Sequence, residues 1–218
     1  VHPFRNKARQ RFFNHHAEHW MAKCYPELAA DNDEEPDSVV RMRKILDAAQ
    51  IQPGDVVADV GCGSGVLVEP LLERIGSEGR LFEVDFAERM IEVNSRLHAD
   101  SRISFCVADV MDLPIDSSSC SAVIAFCCLP HFEHKQEALH RLQKILKPGG
   151  RLVVAHLDSS TDLNAFHRTT DPVVSKDSLP DAEALSRMLE TAGFEVEQAM
   201  DRKNLYLVVA VRTAAQAK

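Results

Sequence analysis

Val56-Val57-Ala58-Asp59-Val60-Gly61-Cys62-Gly63-Ser64-Gly65 decides the fold. A short apolar run, suited to a buried strand, ends in three glycines at alternate positions, and a helical pattern follows from Val66 to Ile75. Glycine accepts backbone angles closed to other residues and, lacking a Cβ, lets a ligand approach the chain closely. A strand that turns through such a loop into a helix predicts a nucleotide or nucleoside cradle.

The rest of the composition narrows the setting. The chain has 218 residues, 45% hydrophobic and 27% charged, which predicts a globular domain with a substantial core. A formal net charge of −8 argues against a large phosphate-binding surface, so no nucleic-acid partner is expected. Arg5, Lys7, Arg9 and Arg11 cluster near the N-terminus and read as one solvated helix face. The six cysteines are scattered and include no CxxC pair, which suits reduced, buried thiols and no zinc site. No apolar run approaches the ~20 residues of a membrane helix. Val1-His2-Pro3-Phe4-Arg5 lacks the apolar core of a secretory signal, so a cytoplasmic location is expected.

Periodicity organises the chain around the loop. Residues 1–36 read as an N-terminal helical cap, with Phe13, Ala17, Trp20 and Cys24 on one stripe, followed by the acidic linker Asp31-Asn32-Asp33-Glu34-Glu35-Pro36. Residues 37–218 read as the ligand-binding domain. A helix capped by Asp37 or Ser38 runs to Gln50, with Val39, Met42, Leu46 and Ala49 on one face. Further strands are expected at 80–84, 103–108, 122–127 and 151–156, separated by helices at 87–97 and 134–146. An irregular stretch, or one with a short helix, covers 158–179. A helix opened by Ser178-Leu179-Pro180-Asp181 and closed by Gly193 precedes strands at 194–198 and 204–211. The alternation predicts an α/β fold: a doubly wound, mostly parallel sheet of seven strands, its last pair antiparallel. In such sheets ligands bind beyond the carboxyl ends of the strands.

Three ligand classes compete for the loop. A triphosphate loop ends in Gly-Lys-Ser/Thr, whereas Ser64-Gly65-Val66 carries no lysine. The dinucleotide frame GxGxxG is weakened because Val66 takes its third glycine position. A nucleoside without phosphates remains. Asp85 ends the second strand, near the spacing at which an acid grips ribose hydroxyls, and its carboxylate can accept from both of them. Asp109 ends the third strand, where it can accept from an adenine amino group.

Asp59-Val60-Gly61-Cys62-Gly63-Ser64-Gly65, Glu83-Val84-Asp85-Phe86, Ala108-Asp109 with Leu113-Pro114, and Leu146-Lys147-Pro148-Gly149-Gly150 follow in order, each at an expected strand end or helix end. Together they resemble the class I S-adenosylmethionine-dependent methyltransferases over about residues 37–211, with a general likeness to the small-molecule enzymes of ubiquinone and menaquinone biosynthesis. One departure is the fourth strand, which begins Cys120-Ser121-Ala122 where many relatives have Phe-Asp. The resemblance implies a Rossmann-like fold with S-adenosylmethionine as cofactor. It implies that Asp59, Gly61, Cys62, Gly63 and Gly65 surround the methionine part and ribose, and that Asp85 with Phe86 binds the ribose. It also implies that Asp109 and Val110 hold adenine and that Cys127 lines the site. The expected reaction is methyl transfer to a small-molecule acceptor. The alternatives are a tRNA, rRNA or protein methyltransferase, and a non-catalytic S-adenosylmethionine-binding protein.

Methyl transfer from a sulfonium is chiefly a matter of alignment, and a base is required only where the acceptor must lose a proton. His131, after the fourth strand, is the first candidate base, with His156 at the end of the fifth strand and His167 in the irregular segment. Their separations match no local metal motif, so no metal is expected. Cys127 and Cys128 are adjacent, so strand alternation predicts that at most one faces the cofactor. His15, His16 and His19, with Phe12, Phe13 and Trp20, form either a lid over the substrate or a helix packed on the sheet with its histidines in water.

Overall fold

Apolar β-branched residues build the centre of the sheet, and their alternation sorts the helices onto its two faces. The computed structural model describes residues 6–25 and 36–213. The acidic linker residues 31–35 and Arg5 lie outside the described residues.

Strand β1 (Val56–Val60) pairs in parallel with β2 (Arg80–Asp85) on one side and β4 (Cys120–Phe126) on the other. Beyond β2 lies β3 (Ile103–Val107), also parallel. Beyond β4 lies β5 (Leu146–His156), which pairs antiparallel with β7 (Leu205–Arg212), itself antiparallel to the edge strand β6 (Phe194–Arg202). The order is β3-β2-β1-β4-β5-β7-β6, a mostly parallel seven-stranded sheet with its last pair antiparallel, as the alternating pattern predicted. The order reverses between β1 and β4, and a ligand crevice opens at such a switch point.

Side-chain parity divides the core. Val57, Leu81, Ile124, Phe126, Val153, Leu207 and Val209 face helices α3 (Asp37–Ala48) and α4 (Val68–Ile75), where Ile45, Leu46, Leu71, Leu72 and Ile75 are buried against them. Ala58, Val60, Val123, Ala125, Leu152, Val154 and Val208 face the opposite side. There Leu139 and Leu142 of α6 (Lys135–Ile145) and Leu185 and Leu189 of α8 (Ala182–Thr191) complete the layer. Residues i and i+2 of one strand share a face, so the two cores follow directly from the alternation.

The N-terminal segment is less regular than one amphipathic helix. Helix α1 (Lys7–His16) and α2 (Trp20–Cys24) are separated by a single 3₁₀ turn at Ala17–His19. Phe13 and Ala17 pack on Ala87, Met90 and Val93 beside α5 (Glu88–Leu97), joined by Val174 from the connection before α8. That connection contains α7 (Ser160–Thr169), the short helix allowed within 158–179, capped by Ser159, which accepts from the Asp162 amide. Among the described residues no helix is long and apolar enough to cross a membrane.

The start of α8 is set by Asp181, whose side chain accepts from the Ala184 amide at 2.7 Å. Asp181→Ala removes that cap and is expected to lower stability by about 1 kcal/mol, whereas Asp181→Asn keeps the acceptor and leaves the urea midpoint nearly unchanged.

Candidate active site

The glycine loop leaves β1 through backbone that only glycine adopts comfortably. Gly61, Gly63 and Gly65 have φ of 78°, 55° and 92°. The loop is also tightly enclosed. A Cβ on Gly61 would stand 2.5 Å from Cys128 Cβ, and one on Gly63 would stand 3.2 Å from the Trp20 indole nitrogen. A Cβ on Gly65 would meet Asn94 Oδ1 at 2.3 Å. The first two glycines therefore admit the turn after β4 and the N-terminal segment, while the third lets α5 dock.

A cavity of about 430 Å³ opens at the switch point. Asp59, Gly61, Cys62, Gly63, Asp85, Phe86, Asp109, Val110 and Cys127 line it, together with His131, His156 and His167. Gly65 alone among the expected residues does not reach the wall; its contact is with Asn94. Phe12, Phe13 and Trp20 close the cavity from the N-terminal side, and Phe132 and Phe166 stand across from the loop. His15 and His19 are exposed, and His16 rests edge-on against Phe12 at 4.7 Å. The aromatics and the imidazoles of this segment therefore part company: the rings line the cavity while the histidines stay outside its wall.

Parity places Asp59, Glu83 and Asp85 on one sheet face, and Asp59 and Glu83 are direct partners across β1 and β2. Asp85 Oδ2 accepts from the Gly63 amide at 3.0 Å and Oδ1 from the Ala87 amide at 2.8 Å. Its carboxylate thus holds the loop and still has lone pairs for further donors. Burial pushes Asp85 up to about 6, opposed by those amides. Asp59 is 1% exposed, with neither oxygen partnered, and burial beside Asp85 pushes it up to about 8. Glu83 accepts from Asn94 Nδ2 at 2.7 Å, while its Oε1 and Asn94 Oδ1 have no partner. Burial, with Asp59 adjoining, drives Glu83 well above the carboxylate range.

The cysteine pair departs from the sequence expectation. Strand β4 ends at Phe126, and Cys127 takes φ 54°, so strand alternation no longer applies. Both Cys127 and Cys128 line the cavity, and Cys128 Sγ donates to the Val60 carbonyl at 3.0 Å. Burial pushes the Cys127 thiol up to about 12 and Cys128 well above its ordinary value, which keeps both protonated.

The three histidines share a stretch of the cavity wall. The rings of His131 and His167 lie 5.3 Å apart. His131 Nδ1 is 2.6 Å from Asp177 Oδ2, and His167 Nδ1 is 3.0 Å from the Asp177 carbonyl. Burial lowers His131, opposed by Asp177. His156 is 3% exposed, its Nε2 lacks a partner, and burial depresses it to about 3. Arg9, expected in a solvated face, instead reaches Asp177 with both guanidinium nitrogens at 2.8 and 2.6 Å. Sequence reasoning did not find Asp177, Glu83 or Asn94. Glu83 carried a usable signal, a charge in the middle of an otherwise apolar strand; Asp177 carried none.

Residues 57–150 match the family model described as a methyltransferase domain. The ubiquinone/menaquinone biosynthesis C-methyltransferase UbiE of Idiomarina loihiensis is 27% identical over 70% of this chain and 71% of its own length. The enzyme of the same name from Vibrio cholerae is 26% identical over 81% and 80%. A chain from the Haloferax volcanii complex of the Trm112 methyltransferase activator with its methyltransferase superposes with a TM-score of 0.75. That match is 19% identical and covers 93% of this chain and 98% of the other, so it speaks for the fold. The chain is an S-adenosylmethionine-dependent methyltransferase. The two relatives named above carry ubiquinone/menaquinone biosynthesis C-methyltransferase names.

The cavity fits that cofactor on its own terms: a cradle that any Cβ would obstruct, and an unpartnered buried carboxylate that suits a cationic ligand. The same carboxylates burden the fold. Glu83 has a folded pKa above its unfolded value, so its neutral form is accommodated at low pH and stability falls as pH rises toward the folded pKa. Glu83→Gln removes the ionisation and offers an amide to the orphaned Asn94 Oδ1. The variant is expected to unfold at a higher temperature than wild type at pH 8 and at nearly the same temperature at pH 4.5. Thermal melts across that range check both the sign and the pH slope.

Proposed function

We propose that the protein transfers the methyl group of S-adenosylmethionine to a small, largely apolar acceptor that carries an ionisable hydroxyl, thiol, amine or acidic carbon. The observation that carries this reading is one cavity whose wall combines buried carboxylates and the glycine loop with aromatic rings and imidazoles. The role of the named relatives in ubiquinone and menaquinone biosynthesis supports a small-molecule acceptor. The −8 net charge supports it over RNA. Cysteines that are all free suit a reducing compartment and support a cytoplasmic setting.

The cofactor supplies a methyl group activated by positive sulfur. On the chain's side, Asp85 would orient the ribose hydroxyls while its amide bonds keep the loop in place. Asp59, facing the loop without a partner, would receive the cationic methionine part together with Gly61, Cys62 and Gly63. Asp109 and Val110 would border the adenine, Asp109 being fixed by the Met111 amide at 2.9 Å. Phe12, Phe13 and Trp20 would exclude water and align the acceptor, so the N-terminal segment acts as a lid. His131, neutral at physiological pH because burial lowers it, would take the acceptor's proton. His156 and His167 would shape the acceptor pocket.

Three measurements test the reading. Asp85→Ala is expected to weaken S-adenosylmethionine binding by about 1.5–3 kcal/mol in calorimetry, and wild-type affinity would reject the ribose assignment. Trp20 is the chain's single tryptophan and lines the cavity beside Gly63, so its fluorescence is expected to change on titration with S-adenosylhomocysteine. Incubation with methyl-labelled cofactor and a metabolite extract is expected to place label in small molecules; label in RNA or protein instead would overturn the acceptor class.

A further inference from the structure

Arg9, His131 and Asp177 come from three distant parts of the chain and meet where Arg9 and His131 line the cavity, with Asp177 behind them. Arg9 belongs to α1, His131 to the turn after β4, and Asp177 to the connection between α7 and α8. Their side chains are 13%, 16% and 6% exposed. The guanidinium clasps both carboxylate oxygens of Asp177 and also donates to the His131 carbonyl at 2.9 Å. A carboxylate only accepts, so the 2.6 Å contact requires the proton on His131 Nδ1. That leaves Nε2 with its lone pair free, and among the described residues it has no protein partner.

We propose that Asp177 is the positioning residue for His131 and that Arg9 fixes the pair, so the acceptor-side base is a three-residue relay completed by the N-terminal helix. The proposal rests on the methyl-transfer reading of the cavity. Asp177 holds the imidazole in one tautomer and one orientation, Nε2 toward the acceptor. As the acceptor atom bonds to the methyl carbon, the carbon–sulfur electron pair stays with sulfur and the acceptor's proton passes to Nε2. The imidazolium so formed faces a carboxylate already in place. Arg9 keeps that carboxylate ionised and keeps it from swinging into the cavity: burial pushes Asp177 up, but His131 and Arg9 together hold it below its ordinary value.

Every charged or titratable neighbour of His131 bears on its protonation. Asp177 favours the imidazolium, while Arg9 of α1 and His167 of α7 oppose it. His156 at the end of β5 stays neutral. Lys135 at the start of α6 is turned to the Pro130 and Phe132 carbonyls, at 3.0 and 3.1 Å. Removing the anion and removing the cation are expected to move the same histidine in opposite directions. Loss of the anion alone also frees its tautomer, which a purely structural ion pair that did not orient the ring would leave unchanged.

Nitrogen-15 histidine spectra of the full chain, without acceptor, read this directly, with the His131 resonances assigned by loss in His131→Gln. Wild type is expected to show His131 protonated at Nδ1 only at neutral pH. Asp177→Asn is expected to lower the His131 titration midpoint and mix its tautomers. Arg9→Gln is expected to raise the midpoint, and Arg9→Lys to restore most of the wild-type value. Retained Trp20 response to S-adenosylhomocysteine certifies that each variant folds. An unmoved His131 in both variants, or displacement in the same direction, overturns the relay. The labelled-methyl assay reports separately on methyl transfer, so a failed relay and a failed methyltransferase reading give different results.

Discussion

The site depends on the absence of three side chains. Because Gly61 has no Cβ, the turn after β4 can lie against the loop after β1, and Cys128 can reach the Val60 carbonyl across the switch point. Because Gly63 has none, the Trp20 indole can close on the loop from the N-terminal side. The open crevice that a doubly wound sheet leaves at its order reversal thereby becomes a walled cavity.

A second constraint is electrostatic. The register that pairs β1 with β2 sets Asp59 against Glu83 on one face and Asp85 beside them, with no basic group among the described residues offsetting them. Buried carboxylates in this position are held partly protonated, since ionisation without a partner is strongly unfavourable. The surroundings of the histidines have the reverse character, with imidazoles kept neutral by burial and the carboxylate behind His131 kept ionised by that histidine and Arg9. Two environments that push protonation in opposite senses, within one cavity, are what a reaction between a cation and a proton-bearing acceptor calls for.

The sequence made the sheet legible because alternation, turn residues and strand-end aspartates are local signals. Val56–Gly65 and the aspartates Asp85 and Asp109 marked one stretch of the cavity wall without knowledge of any contact. The bend at Cys127 was not legible: its positive φ follows from packing the turn against Gly61, and no residue type announced it. Arg9 was misread for a related reason. A basic residue on a short polar helix is ordinarily solvated, and only the tertiary fold brings Asp177 to it. The same holds for Asn94 and Glu83, whose hydrogen bond joins a helix to a strand through their shared face rather than through any motif.

The Arg9–Asp177 pairing spans 168 residues, which gives the site an order of assembly. During synthesis Arg9 leaves the ribosome on the order of 10–30 s before Asp177 does, at ordinary elongation rates. Through that interval the glycine loop and the first parallel strands exist without the carboxylate that anchors α1. All the chain for β1 through β5 is therefore made before Asp177 is. A newly made molecule holds five of its seven strands before it holds the residue that ties α1 to the cavity wall.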